Sequence, residues 1–263
     1  MSTSPASPLL VTLENGVKTI AFNQPAKKNA LSFEMSAMLR DAIFEAREDD
    51  SRVIVLTGTG DDFCSGADLD PTLLNGSGFD ATEFLREYYN PTILAMRGMN
   101  KPIIAKIQGA CVGIGFNFAL ACDLLYAGEG AYFSQLFVRI GLSSDGGGSY
   151  FLASRVGYHR AFEMLVNPQK ITADQAHELG IVNKVFCRGD LDASVQEMAN
   201  YLINGPYLAF QHTKSNLRAA MNHGLEVSLE QEAINQGVNF RSADFFEGVS
   251  AFLMKRPPKF KGK

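Results

Sequence analysis

The stretch Lys101-Pro-Ile-Ile-Ala-Lys-Ile-Gln-Gly-Ala-Cys-Val-Gly-Ile-Gly-Phe-Asn-Phe-Ala-Leu-Ala-Cys-Asp123 decides how this chain is read. Ile103 to Ile107 is a short apolar run, rich in β-branched residues and bounded by Pro and Gly, as a strand buried on both faces of a parallel sheet should be. Gly109, Gly113 and Gly115 interrupt it, and apolar residues return from Gly113 to Cys122 at helical density. Strand, glycine-rich turn and helix start follow one another. Such a junction leaves backbone N–H groups free at the helix start, where they can hold an anion. The same glycines equally suit a close approach of helix to strand.

The same grammar extends outward. Upstream, residues 8 to 22 carry two β-rich runs joined by Glu14-Asn15-Gly16, and Asn-Gly is the strongest short hairpin signal. Met35, Met38, Leu39, Ala42, Ile43 and Ala46 recur at helical spacing within residues 33 to 48, and Val53 to Thr57 reads as another doubly buried strand. A helix is expected over 80 to 99. Downstream, 124 to 127 reads as a strand, Thr172-Ala-Asp-Gln175 as a capping box that opens a short helix, and 182 to 186 as a strand. From about 189 only helices are expected, near 189–204, 207–222, 225–240 and 243–254. The pattern implies an α/β core over residues 1–200 and a helical region over 201–263. No period clear enough for a solenoid is visible.

Composition narrows the function. The 263 residues, 46% of them hydrophobic, are enough for a full core. A formal net charge of −4 offers no basic field for a nucleic-acid backbone. No apolar run approaches the roughly 18 to 20 residues of a membrane helix. The start, Met1-Ser-Thr-Ser-Pro-Ala-Ser7, lacks the basic and apolar regions of a secretory signal. Cys64, Cys111, Cys122 and Cys187 form no C-x-x-C pair and have no His at ligand spacing. The expectation is therefore a cytoplasmic protein without nucleic-acid or membrane partners, disulfide or metal.

Two further Gly-rich segments could carry chemistry. Asp62-Phe-Cys-Ser-Gly-Ala-Asp68 follows a strand as the opening stretch does, and together they could supply paired N–H donors to an oxyanion or simply pack closely. In Gly141-Leu-Ser-Ser-Asp145-Gly-Gly-Gly-Ser-Tyr150, Asp145 is either a helix cap or a carboxylate presented to a cleft. It is the only acid between Glu129 and Glu163, so a pocket here would contain one base rather than two.

Taken together, Asn23-Gln-Pro-x-x-x-Asn29-Ala-Leu31, Cys64-Ser-Gly-Ala-Asp-Leu69, Lys101-Pro102, the 108–123 block, Gly146-Gly147, Ile171-Thr-Ala-x-x-Ala176-x-x-x-Gly180-Ile-Val182 and Glu247-Gly-x-x-Ala-Phe252 resemble the crotonase, or enoyl-CoA hydratase/isomerase, family. The resemblance spans nearly the whole chain. It implies the crotonase fold, repeated ββα units in a spiral core with a C-terminal all-helical trimerisation region, assembled as a homotrimer or homohexamer. It also implies an acyl-CoA thioester substrate, with CoA arriving as part of it and no other cofactor.

Residue by residue, the resemblance makes the backbone N–H groups of Ala67 and Ile114 the oxyanion donors. It places Lys27, Lys28, Ala30, Ser65, Gly66, Asp68, Leu69, Gly113 and Phe137 along the CoA and acyl groups. Lys255 and Lys259 lie in a tail, Met254–Lys263, that holds five basic residues and no acid. That tail is a solvated end or, as the resemblance implies, a contact for CoA phosphates, sometimes from a neighbouring subunit.

Family hydratases carry two glutamates at the positions of Asn117 and Phe137, and neither residue here transfers a proton at neutral pH. Family isomerases use a single acid at the position of Asp145. The expected reaction is therefore movement of a double bond between the 3- and 2-positions of an enoyl-CoA, with Asp145 as base and a dienolate held by the oxyanion donors. Partial desolvation of Asp145 is required, for which Phe116, Phe133 and Phe137 are candidates. Hydration with Asp145 alone, and a CoA-thioester-binding homologue without activity, are the alternatives. A dehalogenase is disfavoured because the chain has no Trp and its first His is His159. The segments Tyr88-Tyr-Asn-Pro91 and Arg241 to Lys263 are similar to the branch that isomerises a ring epoxide-CoA.

Overall fold

The computed structural model describes residues 7–69, 78–187 and 189–262. The chain opens with β1 (Leu9–Glu14) and β2 (Val17–Phe22), paired antiparallel. The turn between them holds Asn15 and Gly16 at φ 51° and 80°, the primed geometry that matches strand twist. From β2 onward the neighbours are parallel: β3 (Val53–Gly58), β4 (Ile103–Ile107), β6 (Leu124–Gly128) and β9 (Lys184–Phe186) complete a six-stranded sheet in the order β1-β2-β3-β4-β6-β9. All six residues of β3 are buried, as its unbroken apolar run requires.

A second sheet explains the repeat. β5 (Ala110–Val112), β7 (Tyr132–Ser134) and β8 (Ile171–Thr172) form three short strands in that order. Cys64 joins it: its N–H donates to Ala110 O and its carbonyl accepts from Val112 N. Three strands of the large sheet thus lead into a short stretch of the small one before a helix begins: β3 into Cys64, β4 into β5, and β6 into β7. The ββα units are visible as this alternation.

Helices cover both faces. On one face, α1 (Phe33–Glu48) is opened by Ser32, whose hydroxyl accepts from Met35 N, and it buries Met35, Leu39, Ala42, Ile43 and Ala46. These pack with α4 (Ile114–Ala121) into the main core. On the other face, Leu191, Val195, Ala199 and Leu202 of α8 (Leu191–Asn204) meet Val53, Val55, Ile104 and Tyr126 of the sheet.

The expected helix over 80–99 is present and runs without a gap as α2 (Ala81–Phe84), a π turn at Leu85–Tyr89 and α3 (Asn90–Gly98). Pro91 has no N–H to donate to Glu87 O, and that carbonyl accepts from Arg40 Nη1 at 3.5 Å.

Beyond β7 come α5 (Gly148–Val156), α6 (Tyr158–Val166) and α7 (Ala173–Glu178), the last opened by the expected Thr172/Gln175 capping box. The helical end follows as α9 (Tyr207–Asn222), α10 (Leu225–Asn239) and α11 (Ala243–Leu253). It is tied to the core through Lys214, whose ammonium donates to Met96 O, Lys101 O and Asp123 Oδ2. No helix among the described residues is long and apolar enough to cross a membrane.

Candidate active site

The site lies where β3 and β4 hand over to the small sheet. Leu31 N donates to Gly66 O and Asp68 N to Leu31 O, so the 27–31 turn is stitched to the 64–68 segment. Gly66, at φ 107°, would bring a Cβ to 3.4 Å from Val112 O, and a Cβ on Gly113, at φ 55°, would stand 3.8 Å from Gly66 Cα. The two backbone turns therefore lie side by side, and it is the positive φ at each that favours glycine. Ala67 and Ile114 come next on these facing segments. Ile114 is the first residue of α4, so its N–H has no intrahelical acceptor. The Ala67 N–H likewise has none among the described residues.

Asp145 reaches the same place through a polar clamp. Asn117 Nδ2 donates to the Asp145 carbonyl at 2.8 Å and to Ser144 Oγ at 3.3 Å, while Gln135 Nε2 donates to Asn117 Oδ1 at 2.7 Å. Asn117 and Gln135 are both buried. The next residue, Gly146, packs on Ile114 Cδ1, which sets the Asp145 loop directly on the start of α4. Asp145 Oδ1 is buried without a hydrogen-bond partner. Burial lifts the carboxyl from an ordinary 3.8 to about 6.

Aromatic rings bound the space. Phe137 lies 3.9 Å from where a Gly113 Cβ would stand. Tyr89 is held by Phe84 and Phe118, with ring centroids at 5.0 and 5.7 Å. Burial, with the charge of Asp145 adding to it, raises the Tyr89 phenol far above its usual range, so the ring is neutral at any working pH. Phe116 and Phe133, the other rings considered for the wall, are fully buried and pack against each other at 5.1 Å in the core. Cys64 is also buried, its thiol pushed up to about 12, too high to act as a nucleophile near neutrality.

The remaining expected contacts divide into two groups. Ala30, Ser65, Gly66, Asp68 and Leu69 lie on the two stitched segments, 27–31 and 64–69, with Lys27 and Lys28. Lys27 Nζ pairs with Asp68 Oδ2 at 2.6 Å, and Lys28 Nζ stands 4.0 Å from Asp62 Oδ2. Lys255 and Lys259 do not join them in this chain. Arg256 pairs with Glu247, Lys259 N donates to Glu247 Oε1, and the Lys261 carbonyl accepts from Arg52 at the start of β3, the opposite end of that strand from Ser65.

The sequence reading did not include Gln135, because nothing local marks it; its role appears only through contact with a residue 18 positions away.

The family model for enoyl-CoA hydratase/isomerase matches residues 12–263. The chain belongs to that family. Among relatives, a Rhodobacter capsulatus protein named "Probable enoyl-CoA hydratase" is 38% identical over 95% of this chain and 96% of its own. The 1,2-epoxyphenylacetyl-CoA isomerase of Escherichia coli is 34% identical over 97% of this chain and 98% of its own. A crystal structure from Geobacillus kaustophilus, titled "Enoyl-CoA Hydrates Subunit I", superposes with a TM-score of 0.89 at 33% identity, covering 99% of this chain and all of that one. Family membership therefore makes the chain an enzyme of enoyl-CoA hydratase/isomerase type acting on acyl-CoA. The names of its relatives include hydratases, isomerases and, at 32% identity, 4-chlorobenzoyl coenzyme A dehalogenases of Arthrobacter sp.

Proposed function

We propose that this enzyme is an enoyl-CoA isomerase that moves a double bond between the 3- and 2-positions of its acyl group. The thioester oxygen is bound by the N–H groups of Ala67 and Ile114. Asp145 removes a proton from C2 of a 3-enoyl-CoA. The electron pair delocalises through the thioester as a dienolate, which the two N–H groups stabilise, and the proton returns from Asp145 to C4 as the 2-enoyl product forms. Atoms balance with no water consumed. Two placed donors of this kind are each worth on the order of 3 kcal/mol of barrier.

One observation carries the reading. Asp145 Oδ1 is buried and unpartnered beside the start of α4, whereas Asn117, where the family's hydratases hold an acid, has both ends of its amide committed to holding the Asp145 loop. Phe137, at the second acid position, contributes a ring. A carboxyl lifted to about 6 is a better base for a thioester α-proton than one near 4, and it is still ionised at neutral pH.

The CoA portion is assigned to Ser65–Leu69 with Lys27, Lys28 and Ala30. Lys255 and Lys259 are assigned to phosphate contacts with a neighbouring subunit's ligand, because their own tail is tied to the far end of β3.

The test is turnover of 3-enoyl-CoA by the wild type and by Asp145→Asn, with the 2-enoyl and 3-enoyl thioesters separated by chromatography and each product weighed. An isomer of unchanged mass that the variant no longer forms supports the reading. A product heavier by one water identifies the hydratase instead, and binding of the thioester without conversion identifies a non-catalytic homologue.

A further inference from the structure

A cavity of about 480 Å3 opens beyond the Asp145 loop, lined by Ile93, Leu94 and Arg97 of α3, Gly147 and Phe151 at the start of α5, and Arg218 of α9. Two of its lining residues stand close to the site along the chain. Gly147 is two residues past Asp145, and Ile93 lies one helical turn past Tyr89, which feels the Asp145 charge. Ile93, Leu94 and Phe151 give it apolar walls, and Arg97 and Arg218 bring two positive charges to its lining.

Arg97 is the anomaly. Its side chain is only 20% exposed, yet no oxygen lies within hydrogen-bonding distance of its guanidinium among the described residues. The nearest carboxylate oxygen, Asp123 Oδ1, is 3.8 Å away, and the other contacts are Met221 Sδ at 3.6 Å and the face of Phe151 at 5.9 Å. The other oxygen of Asp123 is already taken by Lys214 and by Ile103 N. Arg218 donates from Nη1 to the carbonyls of Arg97 and Gly98. Arg155 also feels the charge of Arg97 and donates to Phe151 O and Leu120 O. Arg97 and Lys214 thus share the Asp123 carboxylate, whose charge Arg155 also feels, and among the described residues Arg218 is held on backbone carbonyls alone.

A largely buried guanidinium held, among the described residues, only by a long ion pair to Asp123 and a sulfur contact to Met221 keeps donor capacity in its planar fork, and that fork suits a carboxylate in particular.

We propose that this cavity is a subsite for a negatively charged end of the substrate's acyl group, a terminal carboxylate, with Arg97 and Arg218 as its partners and Ile93, Leu94 and Phe151 along the methylenes before it. The inference rests on the isomerase reading for the location of the thioester, and it names the substrate class of that site. The preferred substrate is then the CoA thioester of an unsaturated dicarboxylic acid, rather than that of an unsubstituted fatty acid of equal length.

Two measurements separate this from the isomerase reading. The first is equilibrium binding of the unreactive thioesters adipyl-CoA and hexanoyl-CoA to the wild type, Arg218→Met and Arg97→Met, with thermal melts reporting that each variant folds. The second is turnover of 3-hexenedioyl-CoA against 3-hexenoyl-CoA. The expected result is at least tenfold tighter binding of adipyl-CoA by the wild type, a preference reduced to about twofold or less by Arg218→Met, and a parallel preference in kcat/KM. Equal binding, or tighter hexanoyl-CoA, overturns the subsite whether or not either substrate is isomerised. Tighter adipyl-CoA with neither 3-enoyl thioester isomerised upholds the subsite and overturns the isomerase reading. A preference unchanged in a folded Arg218→Met and a folded Arg97→Met overturns the assignment of these arginines.

Discussion

Asp145 ties the chemistry to stability, and the two respond to pH with opposite signs. The proposed proton shuttle needs the ionised carboxylate, so kcat/KM should rise with pH up to about 6 and level off above it, as a pH–rate profile would record. Stability runs the other way. Between about 4 and 6 the folded chain holds a proton that the unfolded chain has released, so the free energy of unfolding falls as pH rises through that window. Asp145→Asn removes the penalty of ionising a largely buried group. At pH 7 it should be inactive yet more stable by about 1–3 kcal/mol, with the gain vanishing near pH 4; melts of both proteins across that range check it. A lower melting temperature for the variant at pH 7 would mean that the carboxylate has an attractive partner. Asp145 is legible in the sequence as a lone acid ahead of three glycines. Its environment is not, because Asn117 and Gln135 come to it from 28 and 10 positions away.

At the scale of elements, the site depends on α4 lying against the 64–67 segment. A Cβ on Gly115 would meet Cys64 Cβ and Sγ at 2.6 Å and Cys64 O at 2.9 Å. Gly115→Ala therefore has to push that segment away from the start of α4, separating Ala67 from Ile114. The expected outcome is a loss of kcat on the order of 100-fold, more than the accompanying drop in melting temperature would explain; steady-state kinetics beside a thermal melt would check it. The sequence shows α4 and its glycines plainly, and the Asn15-Gly16 hairpin and the Thr172 capping box are just as readable because each is a local rule. The small sheet is not readable. β5 and β7 are three residues each, too short for an alternating pattern, and they exist by pairing with distant chain. The π turn before Pro91 is readable only in part, since it also depends on Arg40 reaching Glu87 O.

For the whole molecule, the exposed apolar residues of the helical end are too many for a monomer. Leu217, Leu225, Phe246, Phe252, Leu253 and Met254 are each more than 60% exposed. Light scattering on the purified enzyme should therefore report a trimer or hexamer of 28.7 kDa chains, and a monodisperse monomer would refute that assembly. Lys214 anchors these helices to the carbonyls of Met96 and Lys101. The helices expected to carry that assembly are thus joined to α3.

The central claim is that one carboxylate moves a proton and adds no water. The most direct measurement is incubation of 3-enoyl-CoA, and separately of 2-enoyl-CoA, in water enriched in heavy oxygen, followed by mass analysis of the acyl products. Interconversion of the two enoyl thioesters with no heavy oxygen in the acyl chain is the predicted result. A 3-hydroxyacyl-CoA bearing the label would contradict it.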